Sequence, residues 1–258
     1  MKNRPSLAAR KDLLEALYAK YNRPQLIAPD PLELLYRYRD PRDQEIAGLV
    51  AALLAYGGVR QIVGSASSVL GRMAPSPRRF IERTPAARLG GVFRVFRHRW
   101  TTGGDVAALL AGVKSALARY GSLEKSFLAG FSRDDDTVLP ALAEWVKLLR
   151  GTRPAASRDL LSCPQRGSAC KRLNLFLRWM VRQDDVDPGL WPGIPASRLV
   201  VPLDLHMHRI ALAWGLTRRR SADLKAALEV TAAVRAVSPE DPVRYDFALT
   251  RASMAGAL

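Results

Sequence analysis

A lysine and an aspartate, each at the start of a predicted helix, are the residues in this chain whose types and spacing can do chemistry. Lys171 follows the turn-forming segment G-S-A-C, and Asp204 follows V-V-P-L, 33 positions later. A lysine amine that is partly desolvated is a nucleophile, because burial disfavours its charged form. A neighbouring carboxylate stabilises positive charge and assists proton transfer. The pair therefore predicts a chemical centre, although a simple helix cap also explains Asp204.

Two amphipathic helices must position this pair. After Lys171, apolar residues recur at helical spacing, and they predict a buried stripe of Leu173, Phe176, Leu177 and Met180. Arg178 and Arg182 fall on a different face of the same helix, together with Lys171. The second helix begins at Asp204 and ends before Gly215. Its predicted buried stripe consists of Met207, Ile210, Ala211 and Trp214.

The charge balance favours a nucleic-acid partner. The 258 residues contain 40 Lys and Arg against 24 Asp and Glu, which gives a net charge of +16 and a pI near 10.6. A pI above about 9 is typical of proteins that bind nucleic acid, since lysines and arginines displace counterions from phosphates. A basic protein from an arginine-rich genome is the open alternative. The length suits one large domain or two small lobes, and the 48% hydrophobic content indicates a globular protein.

The turn before Lys171 predicts contacts with phosphate. A turn at a helix start can expose backbone N–H groups, and the N-terminus of a helix favours anions. We therefore expect DNA to be contacted by this turn and by two arginines in the two helices, namely by Gly167, Ser168, Ala169, Arg172 and Arg209.

The number of cysteines and the length of the apolar segments limit the cellular compartments that we expect for this protein. Cys163 and Cys170 are too few for a four-thiolate cluster and lack paired metal spacing, so a disulfide is an option that the chain does not need. The N-terminus has no apolar core of a signal peptide. The longest apolar run, from Ile46 to Val59, is too short to span a bilayer and predicts a buried helix. We expect a reduced, cytoplasmic and nucleoid-associated protein without a cofactor or a membrane partner.

Helical periodicity dominates the rest of the chain, and no run alternates convincingly as a strand would. Asp30-Pro31 and Asp40-Pro41 each place a capping carboxylate before a proline suited to the first helical turn. Asp105 is predicted to cap a further helix, and Asp241-Pro242 to open the last one. From Asp43 onwards, acids lie in the first turn of a helix that is apolar nearly all round, which predicts the middle of a helical bundle.

An arginine-rich region from Arg72 to Arg99 has two interpretations. It interleaves aromatic residues with arginines and leads into F-R-V-F-R-H-R-W. Aromatic rings can stack on bases while guanidinium groups pair with phosphates, which suits nucleic acid. The other interpretation is a solvated loop that Phe93, Phe96 and Trp100 anchor to the core.

The segment around Lys171 and Asp204 resembles a known family. G-S-A-C-K-R-L-N followed by V-P-L-D-L-H-M-H-R-I-A resembles the active-site segment of the helix-hairpin-helix DNA glycosylases, especially the 8-oxoguanine glycosylases. In that family a G-x-G-x-K hairpin delivers a catalytic lysine, and V-P-V-D-x-H-x-x-x-I-A delivers a catalytic aspartate. The resemblance implies that Lys171 attacks the sugar C1′ and displaces the base through a Schiff base, with Asp204 as its carboxylate partner.

This sequence departs from the family pattern at the hairpin and in its spacing. P-Q-R-G-S-A-C-K lacks the usual leucine-proline-glycine-valine-glycine run. The interval from lysine to aspartate is longer than in most members and closer to that of the archaeal 8-oxoguanine branch. The cysteine tail of the endonuclease III branch is absent. Over nearly its whole length the chain is also similar to an uncharacterised bacterial family, through R-D-Q-E-I-A-G-L-V-A-A-L-L-A-Y-G and D-P-V-R-Y-D-F-A-L among other segments, and that similarity implies no activity.

The glycosylase resemblance also implies a pocket for a flipped base. Asp246, which lies among apolar residues, is a candidate to recognise base N–H groups, and an outward-facing carboxylate is the alternative. Gln44 is a second pocket candidate. His206 corresponds to the histidine of the family's D-x-H pattern and is expected to support the cleft by hydrogen bonding. A metal site built on His206 and His208 is disfavoured, because helical residues two apart do not face one side.

These inferences combine into one prediction: an all-α, two-lobed, helix-hairpin-helix DNA glycosylase-like fold with an inter-lobe cleft. Residues 1–258 would form a single unit of two helical lobes, with a crossing near 151–166 and the hairpin and active-site segment at 163–215. The loop 183–197 would cover the cleft or simply be surface. The predicted function is excision of an oxidised purine, flipped from double-stranded DNA, by a monomeric glycosylase and AP lyase. A non-catalytic DNA- or RNA-binding protein on the same scaffold and a histidine-based metal-dependent hydrolase are the alternatives.

Overall fold

The structure is a computed structural model that describes residues 8–151 and 160–257. It is predominantly helical, which confirms the predicted all-α class. The predicted crossing near 151–166 falls in part on residues 152–159, which lie outside the described residues. Across the part of the chain that the structure describes, no helix is long and apolar enough to cross a membrane.

The α-helices and one short strand pair follow one another along the chain. They are α1 Lys11–Tyr21, α2 Pro41–Leu53, α3 Val59–Gly71, α4 Pro77–Arg83, α5 Ala86–Val92, β1 Arg97–His98, β2 Thr101–Thr102, α6 Gly103–Tyr120, α7 Leu123–Leu128, α8 Leu139–Arg150, α9 Lys171–Val181, α10 Leu205–Trp214, α11 Leu224–Arg235 and α12 Asp246–Met254. Short 3-10 helices occur at Ala8–Arg10, Pro24–Leu26, Pro31–Arg37, Pro164–Arg166 and Ala196–Arg198.

The chain folds into two compact units. The terminal unit falls within residues 1–27, 135–139 and 164–258, and the inserted unit within residues 28–134 and 140–163. Helices α1 and α9 to α12 belong to the terminal unit. Helices α2 to α7, and all of α8 but its first residue, belong to the inserted unit.

Helix α2 forms the middle of the inserted unit, as its apolar sequence predicts. Every residue from Ile46 to Leu53 is buried. The predicted single helix from Ile46 to Val59 is wrong in its extent, because α2 ends at Leu53 and α3 begins at Val59. Gly57 lies between them with φ of 97°, a backbone conformation that glycine adopts without strain and that a continuous helix does not contain.

The predicted helix caps are confirmed at two positions and wrong at a third. Asp30 and Asp40 each accept a hydrogen bond from the amide two residues ahead, at 3.0 and 2.9 Å. Asp105 does not cap α6. Thr102 is the N-cap residue. The carboxylate of Asp105 accepts a hydrogen bond from the N–H of Thr102 at 2.8 Å, and the backbone N–H of Asp105 donates to the Thr102 hydroxyl at 3.3 Å. The two residues form a reciprocal capping box, in which the hydroxyl side chain precedes the acid.

The last predicted helix start is also wrong. Helix α12 begins at Asp246, with Tyr245 as its N-cap residue, and not after Asp241-Pro242. The carboxylate of Asp241 is bound elsewhere: it accepts a hydrogen bond from Arg182 Nε at 2.7 Å and from the N–H of Val243 at 3.2 Å. A guanidinium partner is stronger than an uncharged amide, so this carboxylate turns towards the arginine.

The terminal unit is built on the stripes that the sequence predicts. The predicted stripe of α9 is fully buried, at Leu173, Phe176, Leu177 and Met180. The stripe of α10 is buried at Met207, Ile210 and Ala211. Trp214, predicted as its fourth member, is only half-buried, and the guanidinium of Arg10 lies 4.9 Å from the centre of its ring.

The loop 183–197 is fastened to the end of α9. The N–H groups of Gly189 and Trp191 donate to the carbonyls of Trp179 and Met180, at 3.2 and 2.6 Å. Gly189 has φ of 60°, and a Cβ there would lie 2.5 Å from the Cβ of Gln183, so the loop requires glycine at this point. The loop thereby holds Asp184 and Asp187 against Arg182 at the end of α9, whereas Asp185 is exposed.

Candidate functional site

A tight turn places Lys171 at the first position of α9. Cys170, directly before it, has φ of 47°, a left-handed conformation that is uncommon for any residue other than glycine. Its N–H donates to the Oγ of Ser168 at 3.1 Å, and Asn174 Nδ2 donates to the carbonyl of Ala169 at 2.9 Å. These bonds hold the strained residue in place, so the direction in which α9 presents the half-buried Lys171 is fixed.

The same turn is clamped to the start of α11. The carbonyl of Gly167 accepts the N–H of Leu224 at 3.0 Å, and Ser168 pairs with Asp223 in an antiparallel bridge. Asp223 caps α11 through the N–H of Ala226 at 2.9 Å. The hairpin expected from the sequence is therefore completed by residues more than 50 positions later in the chain.

The predicted phosphate-contacting residues differ in exposure. Gly167 and Arg209 are exposed, Ser168 and Arg172 are half-buried, and Ala169 is buried. Two amides of the turn already have protein partners, since the N–H of Gly167 donates to Pro164 at 2.9 Å and that of Cys170 to Ser168. The turn thus offers fewer backbone donors than the sequence predicts.

Asp204 is the N-cap of α10 and is half-buried. Its Oδ1 accepts the N–H of Met207 at 2.8 Å, which confirms the capping bond. Its Oδ2 accepts no hydrogen bond from the described residues. One oxygen therefore supports the helix, while the other is available to a ligand.

Asp246, the first residue of α12, connects the two predicted catalytic residues electrostatically. It is buried, so it is not the outward-facing carboxylate of the alternative interpretation. Its Oδ2 accepts a hydrogen bond from Arg178 Nη1 at 2.6 Å. The pKa of Asp246 is raised to about 6, mainly because burial disfavours its charged form. The negative charge of Asp204 also raises this pKa, whereas the positive charges of Arg178 and Lys171 lower it. Asp246 therefore lies within electrostatic range of both Lys171 and Asp204, and each of the three residues stands at the start of a helix.

Behind Asp246 lies a buried network of two arginines and four aspartates, which we call the charge network. Its members are Arg178, Arg182, Asp184, Asp187, Asp241 and Asp246. The fully buried Asp187 joins the two arginines, with Oδ1 3.0 Å from Arg178 Nη2 and Oδ2 2.5 Å from Arg182 Nη1. Burial disfavours the charge on Arg182, but the three carboxylates around it outweigh this effect and hold its pKa above the usual value.

The network extends to α1 through Asp184. Its Oδ2 accepts hydrogen bonds from the Tyr18 hydroxyl at 2.8 Å and from Asn22 Nδ2 at 3.0 Å. Burial opposes ionisation of Asp184, but Arg182 and two backbone amides outweigh it, so the pKa of this carboxyl falls to about 2. Burial and the bond to Asp184 raise the pKa of Tyr18 to about 12.

Sequence reasoning missed this network. It placed Arg178 and Arg182 on a face away from the core, whereas both are buried, with 4% and 3% exposure. One signal was present: two arginines one turn apart on α9 are followed at once by the acidic loop segment D-D-V-D. Only paired charges are commonly buried in this way, so the loop aspartates were the available partners.

Gln44 and His206, the other two predicted pocket residues, belong to different units. Gln44 belongs to the inserted unit, and its Nε2 donates to the carbonyl of Tyr38 at 2.9 Å. His206 is exposed, and His208 is buried with Nε2 2.8 Å from the carbonyl of Arg219. No group of three or more metal-binding side chains occurs among the described residues. Both cysteines are buried free thiols.

Comparison with known proteins places the chain in a family. No curated protein and no solved structure matches it. A family model described as "Protein of unknown function (DUF2400)" matches residues 30–255, which include Lys171, Asp204 and Asp246. The protein therefore belongs to the DUF2400 family.

Proposed function

We propose that this protein is a DNA glycosylase with AP lyase activity, built on a two-lobed helix-hairpin-helix glycosylase-like fold, and that it removes an oxidised purine of the 8-oxoguanine type from double-stranded DNA. The observation that carries the proposal is the placement of Lys171, Asp204 and Asp246 at the starts of three helices of one compact unit, with Asp246 in electrostatic range of the other two. Lys171 and Asp204 are 33 positions apart in the sequence, and these two match the positions that the glycosylase resemblance singles out.

Lys171 supplies the nucleophile in the proposed reaction. Its neutral Nζ attacks the sugar C1′, the glycosidic C1′–N bond breaks, and the base leaves with the bonding electrons and takes up a proton. The sugar ring then opens to a Schiff base between C1′ and Nζ. Loss of a proton from C2′ and departure of the 3′-phosphate complete the lyase step.

Asp204 supports this reaction as an electrostatic partner. Positive charge develops at C1′ as the base leaves, and a preorganised carboxylate stabilises that charge. Its Oδ2 is available for this role, because the capping hydrogen bond within the described part of the chain ends on Oδ1. Asp246 lies behind the pair as a positioning residue, since Arg178 engages one of its oxygens.

The surroundings of Lys171 suit a DNA strand. Two α-helices, α9 and α10, begin at Lys171 and just after Asp204, and helix N-termini favour phosphate. Arg172 and the exposed Arg209 add positive charge next to these starts. The net charge of +16 adds long-range attraction for any nucleic acid.

A non-catalytic DNA- or RNA-binding protein is the second candidate function. It is favoured by the turn before Lys171, where the N–H of Gly167, an expected phosphate contact, and the N–H of Cys170 both donate to protein oxygens. Such a protein binds nucleic acid with strong salt dependence, and replacing Lys171 changes its affinity only by the loss of one charge.

Borohydride trapping separates the two. Purified protein is mixed with duplexes that contain 8-oxoguanine, an abasic site or neither, and borohydride reduces any Schiff base to a stable adduct. We expect an adduct on both lesions that Lys171→Gln abolishes and Lys225→Gln, an equal charge change at an exposed position of α11, leaves intact. Asp204→Asn should slow base removal about 10²–10³-fold while retaining the adduct on the abasic site. An undiminished adduct in Lys171→Gln contradicts the proposal, and tight DNA binding with no adduct on either lesion favours the second candidate.

A further inference from the structure

The strand pair β1–β2 in the inserted unit ends in a projecting tip made of an arginine and a tryptophan. Trp100 is 52% exposed, the most exposed large aromatic side chain among the described residues. Its ring stacks on Tyr56, with 4.6 Å between centroids and 18° between planes. The guanidinium of Arg99 lies 5.0 Å from the centre of the same indole. The tip therefore presents flat, cation-rich and aromatic surface to solvent.

Buried polar contacts hold the tip from beneath. The Tyr56 hydroxyl donates to the carbonyl of His98 at 2.9 Å and lies 2.5 Å from the hydroxyl of Thr101. The ring of His98 is fully buried, with Nδ1 2.9 Å from Ser65 Oγ and Nε2 3.0 Å from the carbonyl of Tyr56. An exposed aromatic residue on so rigid a support loses little conformational freedom when a ligand binds.

The backbone at the tip is itself constrained. Arg99 has φ of 54°, a left-handed conformation that is unfavourable for arginine. Its carbonyl accepts a hydrogen bond from Arg97 Nε at 3.1 Å. A Cβ at Gly57 would lie 3.1 Å from Arg99 Cδ, so the glycine allows the arginine stem to lie close. The surrounding residues thus keep Arg99 beside Trp100.

The charge around the tip is of one sign. Between positions 83 and 104 the sequence contains five arginines and no acidic residue. Three of these arginines flank the tip and are exposed, at Arg94, Arg97 and Arg99. Such a surface complements a polyanion whose charges are spaced along a chain.

We propose that this tip, residues 94–100, binds single-stranded nucleic acid. An unpaired base stacks on the Arg99–Trp100 pair, and the adjoining phosphates contact Arg94 and Arg97. A single strand is favoured over a duplex, because only unpaired bases offer their faces for stacking. An anionic membrane is disfavoured, because insertion of the Trp100 ring among lipids would require it to leave its stack on Tyr56.

This proposal shares nucleic acid as a partner with the proposed function but does not depend on its chemistry. The test compares binding of a 16-nucleotide oligothymidylate and of a duplex of equal length, by fluorescence anisotropy at one salt concentration. Trp100→Ala should weaken binding to the single strand about tenfold and binding to the duplex much less. Trp100→Phe, which keeps a stacking ring, should restore most of the single-strand affinity.

Two further measurements keep the test decisive. Arg99→Ala should weaken binding to the single strand, because it removes the guanidinium half of the proposed stacking pair. Arg119→Ala is the matched control and should bind as wild type does, since Arg119 is also exposed in the inserted unit and lies 5.1 Å from the ring of Tyr120. Of the other four tryptophans, Trp145, Trp179 and Trp191 are buried and Trp214 is half-buried. Trp100 is the most exposed of the five, so its intrinsic fluorescence reports the contact, with Trp100→Phe as the reference. Oligothymidylate should quench the wild-type emission, and Trp100→Phe should remove that quenching.

The proposal is overturned if Trp100→Ala binds the single strand as wild type does and the emission is not quenched. Binding to phosphatidylglycerol vesicles that is equally Trp100-dependent, with no Trp100-dependent binding of oligothymidylate, also overturns it and identifies a lipid surface. Failure of Lys171-dependent trapping, with the Trp100 signal intact, removes the proposed function alone.

Discussion

Both units bury carboxylates, but they satisfy them in different ways. In the inserted unit, Asp43 and Glu45 of α2 are 7% and 5% exposed. Asp43 accepts the Ser76 hydroxyl at 2.7 Å and the N–H of Arg78 at 2.8 Å. Glu45 accepts two backbone N–H groups at the start of α7, at 3.3 and 3.1 Å. These acids complete the open ends of neighbouring helices, where partial positive charge gathers.

In the terminal unit the buried carboxylates meet full positive charges. Asp187 and Asp246 both pair with Arg178, and Asp187 also pairs with Arg182. Full charges act over longer distances than hydrogen bonds do in a medium of low dielectric constant. Asp246 thereby remains sensitive to Lys171 and Asp204. The comparison teaches that buried acids which cap helices, such as Asp43 and Glu45, need only a structural explanation. A buried acid that senses the charges of Lys171 and Asp204, as Asp246 does, suits a reactive site.

The largest expected effect is the removal of a buried positive charge. Arg178→Met leaves Asp187 and Asp246 with reduced compensation, and we expect a loss of about 3–5 kcal/mol in the free energy of unfolding. Urea unfolding followed by circular dichroism measures it. The matched control is Arg42→Met, whose partner Asp40 is solvent-accessible, with an expected loss far smaller than that of Arg178→Met. Equal losses in the two variants would remove the distinction between the charge network and surface pairs.

The next effect depends on pH. The pKa of Asp246 is raised from 3.8 to about 6, so the folded state binds a proton more tightly than the unfolded state. The resulting stabilisation is complete below about pH 4 and is lost as the pH rises through about 6, a change of about 3 kcal/mol. Asp246→Asn should flatten the dependence of stability on pH between 4 and 7. An unchanged slope in this variant would show that Asp246 does not titrate in that range.

Asp184 affects the pH dependence of stability in the direction opposite to Asp246. Its pKa of about 2 lies below the usual value, so its contribution is present above about pH 4 and is lost as the pH falls towards 2. Asp184→Asn should therefore leave the slope between pH 5 and 7 as in wild type. This variant is the control for Asp246→Asn.

The smallest effects belong to the inserted unit. Both hydrogen bonds to Asp43 end on Oδ1, so Asp43→Asn can keep them, with an expected loss below about 1 kcal/mol. Both oxygens of Glu45 accept hydrogen bonds, so in Glu45→Gln the side-chain NH₂ group faces a backbone N–H that also donates. We expect a loss of about 1–3 kcal/mol in the free energy of unfolding. Thermal unfolding of both variants ranks them, and the reverse order would contradict this capping geometry.

The sequence predicted what local chemistry determines. The stripes of α9 and α10, the burial of α2 and the caps Asp30 and Asp40 follow from periodicity and from the donors left open at helix starts. The predicted caps at Asp105 and Asp241 were wrong. Thr102 takes the N-cap position of α6, and the guanidinium of Arg182, distant in the sequence, binds the carboxylate of Asp241.

The candidate site was only half predictable. Lys171 and Asp204 could be named from their residue types and positions, but the participation of Asp246 depends on contacts with α9 and α10 that no local pattern encodes. The charge network depends on the path of the loop 183–197, which has no periodicity to reveal which aspartates point inward.

The most direct test of the central claim is the titration of the Asp246 carboxyl by NMR of aspartate labelled with ¹³C at Cγ, with Asp246→Asn to assign its signal. In wild type we expect a pKa near 6. Lys171→Gln should raise this pKa, because it removes a positive charge, and Asp204→Asn should lower it, because it removes a negative one. Opposite shifts would establish that the three side chains form one electrostatic site. The same pKa in wild type and in both variants would contradict the site on which the proposed chemistry depends.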